Sequence, residues 1–302
     1  MGFEIRPVSG SGDLESWVTT RNEASPDLLT TEMRTLIRAL ELDYLDLLAL
    51  EGDEPVGTAF ISGDPRSVET RRPWFDVRVP ERHRGRGVGS ALLQAVSERA
   101  RDRGYVGLRC SARADDPRSI GFLEHRGFSV AGRVEQMSLE LDAPIPSRPI
   151  LSSRVELVWL IDRPSLLAGM YELARDSDAV RSGRFAGVVL TESQWRVYEL
   201  GSPLVRLDLT SVALVDGEVI GYSVVQDFPE YNALYHRALV VAPDWRRRGV
   251  AEALVHGQMV SAAAAGIRLM IAVPRSDALR RLYAEIGYAP RKSWLELEAA
   301  LA

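Results

Sequence analysis

The chain has 302 residues, a formal net charge of −5 and a pI near 5.6, with 46% hydrophobic and 26% charged residues. That is a globular composition long enough for two domain cores, and its acidic balance excludes a whole-protein electrostatic footprint for nucleic acid. A single cysteine, Cys110, excludes an internal disulfide and a cysteine-rich metal site, and His83, His125, His236 and His256 show no paired ligand spacing, so no metal is expected.

Taken in chain order, residues 3–7 read as a strand and 14–21 and 31–40 as helical stretches. Residues 47–50 and 56–61 flank Glu51-Gly52-Asp53-Glu54 as a hairpin. After a strand at 75–79 comes Arg84-Gly85-Arg86-Gly87-Val88-Gly89-Ser90. A helix follows, with Val88, Leu92, Leu93 and Val96 on one apolar stripe, ended by Gly104. A strand at 106–110, a helix up to Gly127 and a strand through 137–141 complete the first half. The second half runs alike: strands at 155–161, 204–215, 219–226 and 234–241, helix 250–265, strand 267–273, helix 278–286 and strand 294–297. Strands in series followed by alternating helix and strand predict an α/β fold. It has two tandem domains, each a mixed, mostly antiparallel sheet flanked by helices.

The halves repeat one another. Arg246-Arg247-Arg248-Gly249-Val250-Ala251 lies 246 − 84 = 162 positions after its counterpart, and the same offset pairs Leu92 with Leu254 and Gly104 with Gly266. Ala143 to Pro149 holds three prolines in seven residues, which predicts an extended linker at 144–151 between domains at 1–143 and 152–302. Residues 1–6 lack the basic-then-apolar run of a signal peptide. The most apolar long window, 254–273, is broken by His256, Gln258 and Arg268, so no membrane span and a cytoplasmic location are expected.

A glycine turn between a strand and a helix suits an oxygen-rich anion. The first N–H groups of the helix lack internal partners, glycine lets the backbone approach, and arginine adds bidentate charge. A Walker loop would need a lysine that is absent here, and Gly85-x-Gly87-x-Gly89 lacks the dinucleotide-fold spacing. The clusters Arg82 to Arg86 and Arg246 to Arg248 sit at these turns, which favours phosphate over RNA as their partner.

Arg84-x-x-Gly87-x-Gly89 and Arg246-x-x-Gly249-x-Ala251 resemble the hallmark of the GCN5-related N-acetyltransferase (GNAT) superfamily. Val241-Ala242-Pro243 fits the end of the preceding strand, whereas Val79-Pro80 is shifted by one. Tyr283-Ala284-Glu285-Ile286-Gly287-Tyr288 matches a later motif, in which the first half has Leu123 in place of the tyrosine. The length and layout are similar to tandem members of that superfamily. The resemblance implies acetyl transfer from acetyl-CoA, without a metal, to an amine of a small molecule in a ternary complex. A protein Nα or lysine amine, and CoA sensing without turnover, are the alternatives.

By this resemblance the cofactor residues are Val79, Arg84, Gly85, Arg86, Gly87, Val88, Gly89 and Ser90 in the first half. In the second they are Val241, Arg246, Arg247, Arg248, Gly249, Val250 and Ala251. The backbone N–H of Val79 or Val241 would polarise the thioester carbonyl, and Tyr283 would protonate the departing thiolate. Because Leu123 has no proton to give, the second domain is the expected catalyst. Asp227, Glu230 and His236 lie near the expected mouth but read as loop and strand residues rather than as the base. Cys110 reads as an inert thiol, and Trp17, Trp195 and Tyr198 read as core aromatics. Nothing in the sequence sets the oligomeric state.

Overall fold

The computed structural model describes residues 2–26, 28–32, 35, 42–63, 70–142, 145, 151–176 and 190–301. Most of the helical stretch expected at 31–40, and all of the proline-rich linker except residues 145 and 151, lie outside the described residues. No helix among the described residues is long and apolar enough to cross a membrane.

Two compact units result, Met1–Arg133 with Trp294–Ala302 and Val134–Ser293. They differ from the contiguous halves expected from the sequence in the ownership of the last strand. The first unit contains β1 (Glu4–Pro7), α1 (Gly10–Ala24), β2 (Leu42–Glu51), β3 (Glu54–Gly63), β4 (Trp74–Arg78), α2 (Val88–Asp102), β5 (Gly107–Arg113) and α3 (Pro117–Glu124). Strand β6 (Ser129–Glu140) leaves this unit after Arg133. The second unit contains β7 (Val155–Trp159), α4 (Leu167–Asp176), α5 (Glu192–Leu200), β8 (Ser211–Val215), β9 (Glu218–Phe228), β10 (Ala233–Val241), α6 (Val250–Ala264), β11 (Leu269–Ala272) and α7 (Asp277–Ile286). Strand β12 (Ala289–Ala300) ends the series.

The pairing shows why the boundaries moved. In the first unit β5 pairs antiparallel with Trp294–Ala300 of β12, and Leu297 is buried in that unit's core. In the second, β11 pairs antiparallel with Met137–Glu140 of β6, and Met137 is buried in its core. Each sheet is thus closed by a strand from the far half of the sequence. A local reading assigns a strand to its neighbours in the chain and cannot see which edge it pairs with.

Within each unit the order follows the duplication. β1 to β4 pair antiparallel in sequence and β4 meets β5 in parallel; β7 to β10 pair antiparallel and β10 meets β11 in parallel. The helix after each glycine turn covers one face of its sheet. Val88, Leu92, Leu93, Val96 and Ala100 of α2 are buried there, the expected stripe extended by one turn. Residues 204–210 are turns with one isolated bridge at Val205, so the strand expected at 204–215 shrinks to β8. Trp17 and Trp195 are core side chains, as their composition led one to expect.

Helix α6 buries a polar residue, Gln258, which the sequence reading counted only as an interruption. Its amide donates to the carbonyls of Leu209 and Ser223, both at 2.9 Å, and accepts from the Ser223 hydroxyl at 3.0 Å. A fully satisfied amide can sit in a dry core, where an unsatisfied one costs about 1–3 kcal/mol.

Candidate active site

The site begins where two parallel strands part. β4 and β5 are paired only at Trp74 and Arg109, and β10 and β11 only from Ala233 to Tyr235. Beyond those points each pair leaves a gap between strand ends. Alternate residues of a strand direct their N–H groups to opposite edges. Ala242 donates to the carbonyl of Ile220 at 2.8 Å, on the β9 side, so the N–H of Val241 is directed to the gap. Val79 occupies the same position in the first unit, five residues ahead of Arg84 as Val241 is ahead of Arg246.

The glycine turns follow. Gly85 and Gly87 have φ of 75° and 93°, and Arg247 and Gly249 have 56° and 78°. Both turns therefore need two left-handed residues, a geometry that suits glycine and strains the side chain of Arg247. Gly87 and Gly249 cap α2 and α6 without any side-chain hydrogen bond. The first helical bonds run from Ala91 to Gly87 and from Ala253 to Gly249, so the preceding N–H groups have no intrahelical acceptor. Close packing holds each helix start in place. A Cβ on Gly57 of β3 would meet Val88 at 2.8 Å and Leu92 at 3.0 Å, and one on Gly221 of β9 would meet Leu254 and Val250 at 3.3 Å. Val88 and Val250 accordingly serve the core with their side chains and offer only backbone N–H to an anion.

The arginines divide their tasks. Arg84 and Arg246 each donate Nε back to the carbonyl of Val79 or Val241, at 3.0 and 3.1 Å, bracing the strand end from which the turn springs. Arg86 donates a single nitrogen, Nη2, to both carboxylate oxygens of Glu51, at 2.7 and 2.5 Å, and Arg248 stacks on Trp245 at 5.2 Å. The two turns also differ in charge. Ser90 on the first turn of α2 corresponds to Glu252 on the first turn of α6, so the second helix already carries an anion where the first carries a hydroxyl.

In the first unit the gap opens into a cavity of about 1110 Å³. It runs from Ala24, Ser25, Pro26 and Leu28, at the end of α1, along Phe75 to Val79 and Cys110 to Arg113, to the turn. Of the residues expected from the sequence, Val79, Arg84, Gly85, Gly87, Gly89 and Ser90 line it, whereas Arg86 and Val88 do not. Among the lining residues that no sequence pattern singled out are Arg126 and Asp116. Arg126, just past α3, donates to the Ser90 hydroxyl at 2.6 Å and lies 3.7 Å over the ring of Phe122. Asp116 caps α3 through the Ser119 N–H at 3.1 Å. The spacing from Gly127 back to Asp116 could have suggested a capped helix, but no local signal brings Arg126 to Ser90.

Deeper in the same cavity the Asp76 carboxylate is clamped between Arg21 of α1 and Arg78, and Arg21 lies over the rings of Trp17 and Phe60. Despite its burial, these two guanidinium groups hold Asp76 well below the usual carboxylate range. Asp76 is therefore an anion with little affinity for a proton, its charge taken up by the two guanidinium groups. Burial, with Asp76 nearby, pushes the Cys110 thiol up, which keeps it protonated.

In the second unit Tyr283, which corresponds to the cavity-lining Leu123, stands in a cluster of aromatic side chains. Tyr283 of α7 is only 4% exposed and belongs to the core, with its ring 5.4 Å from His236 and 5.0 Å from Tyr288. The Tyr288 hydroxyl and His236 Nε2 are 2.7 Å apart. Burial raises the Tyr283 phenol and lowers His236 to about 3, so both are neutral at pH 7. Of the two other residues expected near this mouth, Asp227 is engaged by Arg206 at 3.2 Å, and Glu230 lies in the 3₁₀ turn after β9.

Two family models match the chain, the acetyltransferase (GNAT) family over residues 14–128 and the acetyltransferase (GNAT) domain over 207–290. A 97-residue stretch is 35% identical to mycothiol acetyltransferase of Nocardiopsis dassonvillei. It covers 31% of this chain and 26% of that protein, so the chain matches about a quarter of that relative's length. The fold is similar to a GCN5-related N-acetyltransferase from Sphaerobacter thermophilus (TM-score 0.78, 18% identity, 99% of this chain and 96% of that one). It is also similar to a tandem GNAT protein from the clavulanic acid biosynthesis pathway (TM-score 0.80, 18% identity, 100% and 99%). Two diverging strand pairs, each ending in a left-handed turn on an uncapped helix, agree with both matches: the chain is a tandem member of the GNAT acetyltransferase family.

Proposed function

We propose that the protein transfers an acetyl group from acetyl-CoA to the amine of a small molecule, and that the first unit holds the acyl-CoA. The observation that carries this reading is the cavity of about 1110 Å³ that ends on the uncapped start of α2. Left-handed Gly85 and Gly87 and the Ser90 hydroxyl form a cradle suited to a diphosphate, and Arg126 adds a cation beside it. The thioester supplies an activated acyl carbon. The backbone N–H of Val79 is placed to stabilise negative charge on its oxygen. The acceptor must reach the cavity as a free amine, since an alkyl ammonium, with pKa near 10.4, has no lone pair. Leu123, which lines the cavity where the family motif has tyrosine, cannot protonate the leaving thiolate; water entering this wide cleft takes that role.

A second reading places turnover in the second unit, favoured by Tyr283, a neutral phenol able to donate a proton. Against it stand the burial of Tyr283 and the negative charge of Glu252 at the helix start. Calorimetric titration of acetyl-CoA into the wild type, Ser90→Glu and Gly249→Trp separates the two. Ser90→Glu keeps a helix-compatible residue but opposes the diphosphate, and it is expected to abolish binding while Gly249→Trp retains it. Loss of binding only in Gly249→Trp would move the site to the second unit. A folded wild type that binds no acetyl-CoA would sink the proposal as a whole.

A further inference from the structure

The duplication shows which charges the fold itself requires. In the first unit Phe60 faces Asp76 and Thr58 faces Arg78 across β3 and β4. In the second, Val224 faces Ala238 and Tyr222 faces Val240 across β9 and β10. Counted back from Val79 and Val241, Asp76 and Arg78 correspond to Ala238 and Val240, both packed in the second unit's core. The same register on the same kind of sheet is thus satisfied by alanine and valine. A buried ion pair contributes little over apolar packing in such a position. Arg21 with Asp76 already ties α1 to β4, so packing gives no reason for Arg78.

Arg78 does have a use in the cavity. It donates Nε and Nη2 to Asp76, at 3.0 and 2.9 Å, which fixes the plane of its guanidinium. Its Nη1 makes no hydrogen bond among the described residues, and Arg78 lines the cavity. A guanidinium held rigid along one edge and open at another is organised to receive an oxyanion. That oxyanion is not the diphosphate. Val77 and Val79 pack in the core with α2, so the intervening Arg78 projects to the opposite face of β4, toward α1. The cavity continues on that side to Ala24, Ser25, Pro26 and Leu28, which leaves room for the acceptor.

We infer that Arg78 is a specificity-determining residue of the first unit and that it binds a carboxylate carried by the acceptor amine. This rests on the reading that the first unit's cavity holds the acyl-CoA. The test uses the full chain with saturating CoA and three pairs of amines differing by one carboxylate. They are L-lysine and cadaverine, L-phenylalanine and phenethylamine, and β-alanine and ethylamine. Dissociation constants are measured by saturation-transfer NMR for the wild type and for Arg78→Val, which installs the residue the second unit carries. The wild type is expected to bind the carboxylated member of at least one pair about tenfold or more tightly than its partner, and Arg78→Val to bind both equally. Arg78→Gln, which keeps a polar side chain without the charge, is expected to behave as Arg78→Val. A wild type without that preference in any pair, including one that binds none of these amines, overturns the inference; so does a preference that survives in both variants. Acetyl-CoA titration of the same samples keeps the two readings apart. Binding of acetyl-CoA without carboxylate preference overturns only the role of Arg78, whereas no binding of acetyl-CoA to the wild type overturns the function proposed above.

Discussion

The two units share a strand order, a parting of parallel strands and a left-handed turn, yet what surrounds the turn differs at nearly every polar position. The first has Ser90, Asp76, Arg78 and Leu123; the second has Glu252, Ala238, Val240 and Tyr283. The first keeps a cavity, while the second brings His236, Tyr283 and Tyr288 together in its core. Because the backbone plan is common to both, the shared fold by itself does not require any of these particular side chains. The more complete tyrosine motif therefore does not by itself locate the better site: the same tyrosine that can donate a proton can also be core.

Acid should distinguish the units most strongly. His236, held near 3 in the folded state, takes up a proton on unfolding at its ordinary value near 6.5. Its contribution is thus present above about pH 6.5 and is lost as pH falls toward 3, at about 1.4 kcal/mol per pH unit. Asp76, depressed below its ordinary value near 3.9, contributes fully above about pH 4 and fails only below it. Hydrogen exchange between pH 7 and 4.5 is expected to lose protection in the second unit first, and His236→Gln to flatten that slope. Equal loss in both units would contradict the assignment.

Next in size is the glycine on which each helix rests. Gly57→Val forces a methyl group against Val88 and Leu92 and is expected to cost about 3 kcal/mol in urea unfolding. Gly221→Val has slightly longer approaches and should cost less, so the reverse order would break the packing argument. Gln258→Leu strips the Leu209 and Ser223 carbonyls of their donor and should cost about 2 kcal/mol, with no counterpart in the first unit. Gly89→Ala should do least. Its Cβ would meet Phe122 at 3.5 Å and Val79 at 3.7 Å, ordinary contacts, and Ala251 already stands at the matching place. Acetyl-CoA affinity within twofold of wild type, with up to about 1 kcal/mol of added stability from helix propensity, is the expected result.

Much of the fold was legible. The stripe Val88, Leu92, Leu93 and Val96 and the Gly52 hairpin are local patterns, and local patterns are what a 3.6-residue or two-residue period records. The turns were legible because left-handed backbone favours glycine, which stands at Gly85, Gly87 and Gly249, although Arg247 holds the fourth such position. What stayed hidden was pairwise at long range: Arg126 at Ser90, 36 residues away, and Arg21 at Asp76, 55 away. The strand at 204–215 was over-read because apolar residues there satisfy turns and a single bridge as well as a ladder.

By itself the sequence determined the duplication, the α/β plan and the place of both glycine turns, since each depends on short-range periodicity or on the conformational freedom of single residues. Only the tertiary structure decided that β12 closes the first sheet and part of β6 the second, that the first unit keeps a cavity, and that Tyr283 is buried. Those outcomes depend on which edges pair and which side chains fill a space, and such choices are settled by contacts between residues that the chain order keeps far apart.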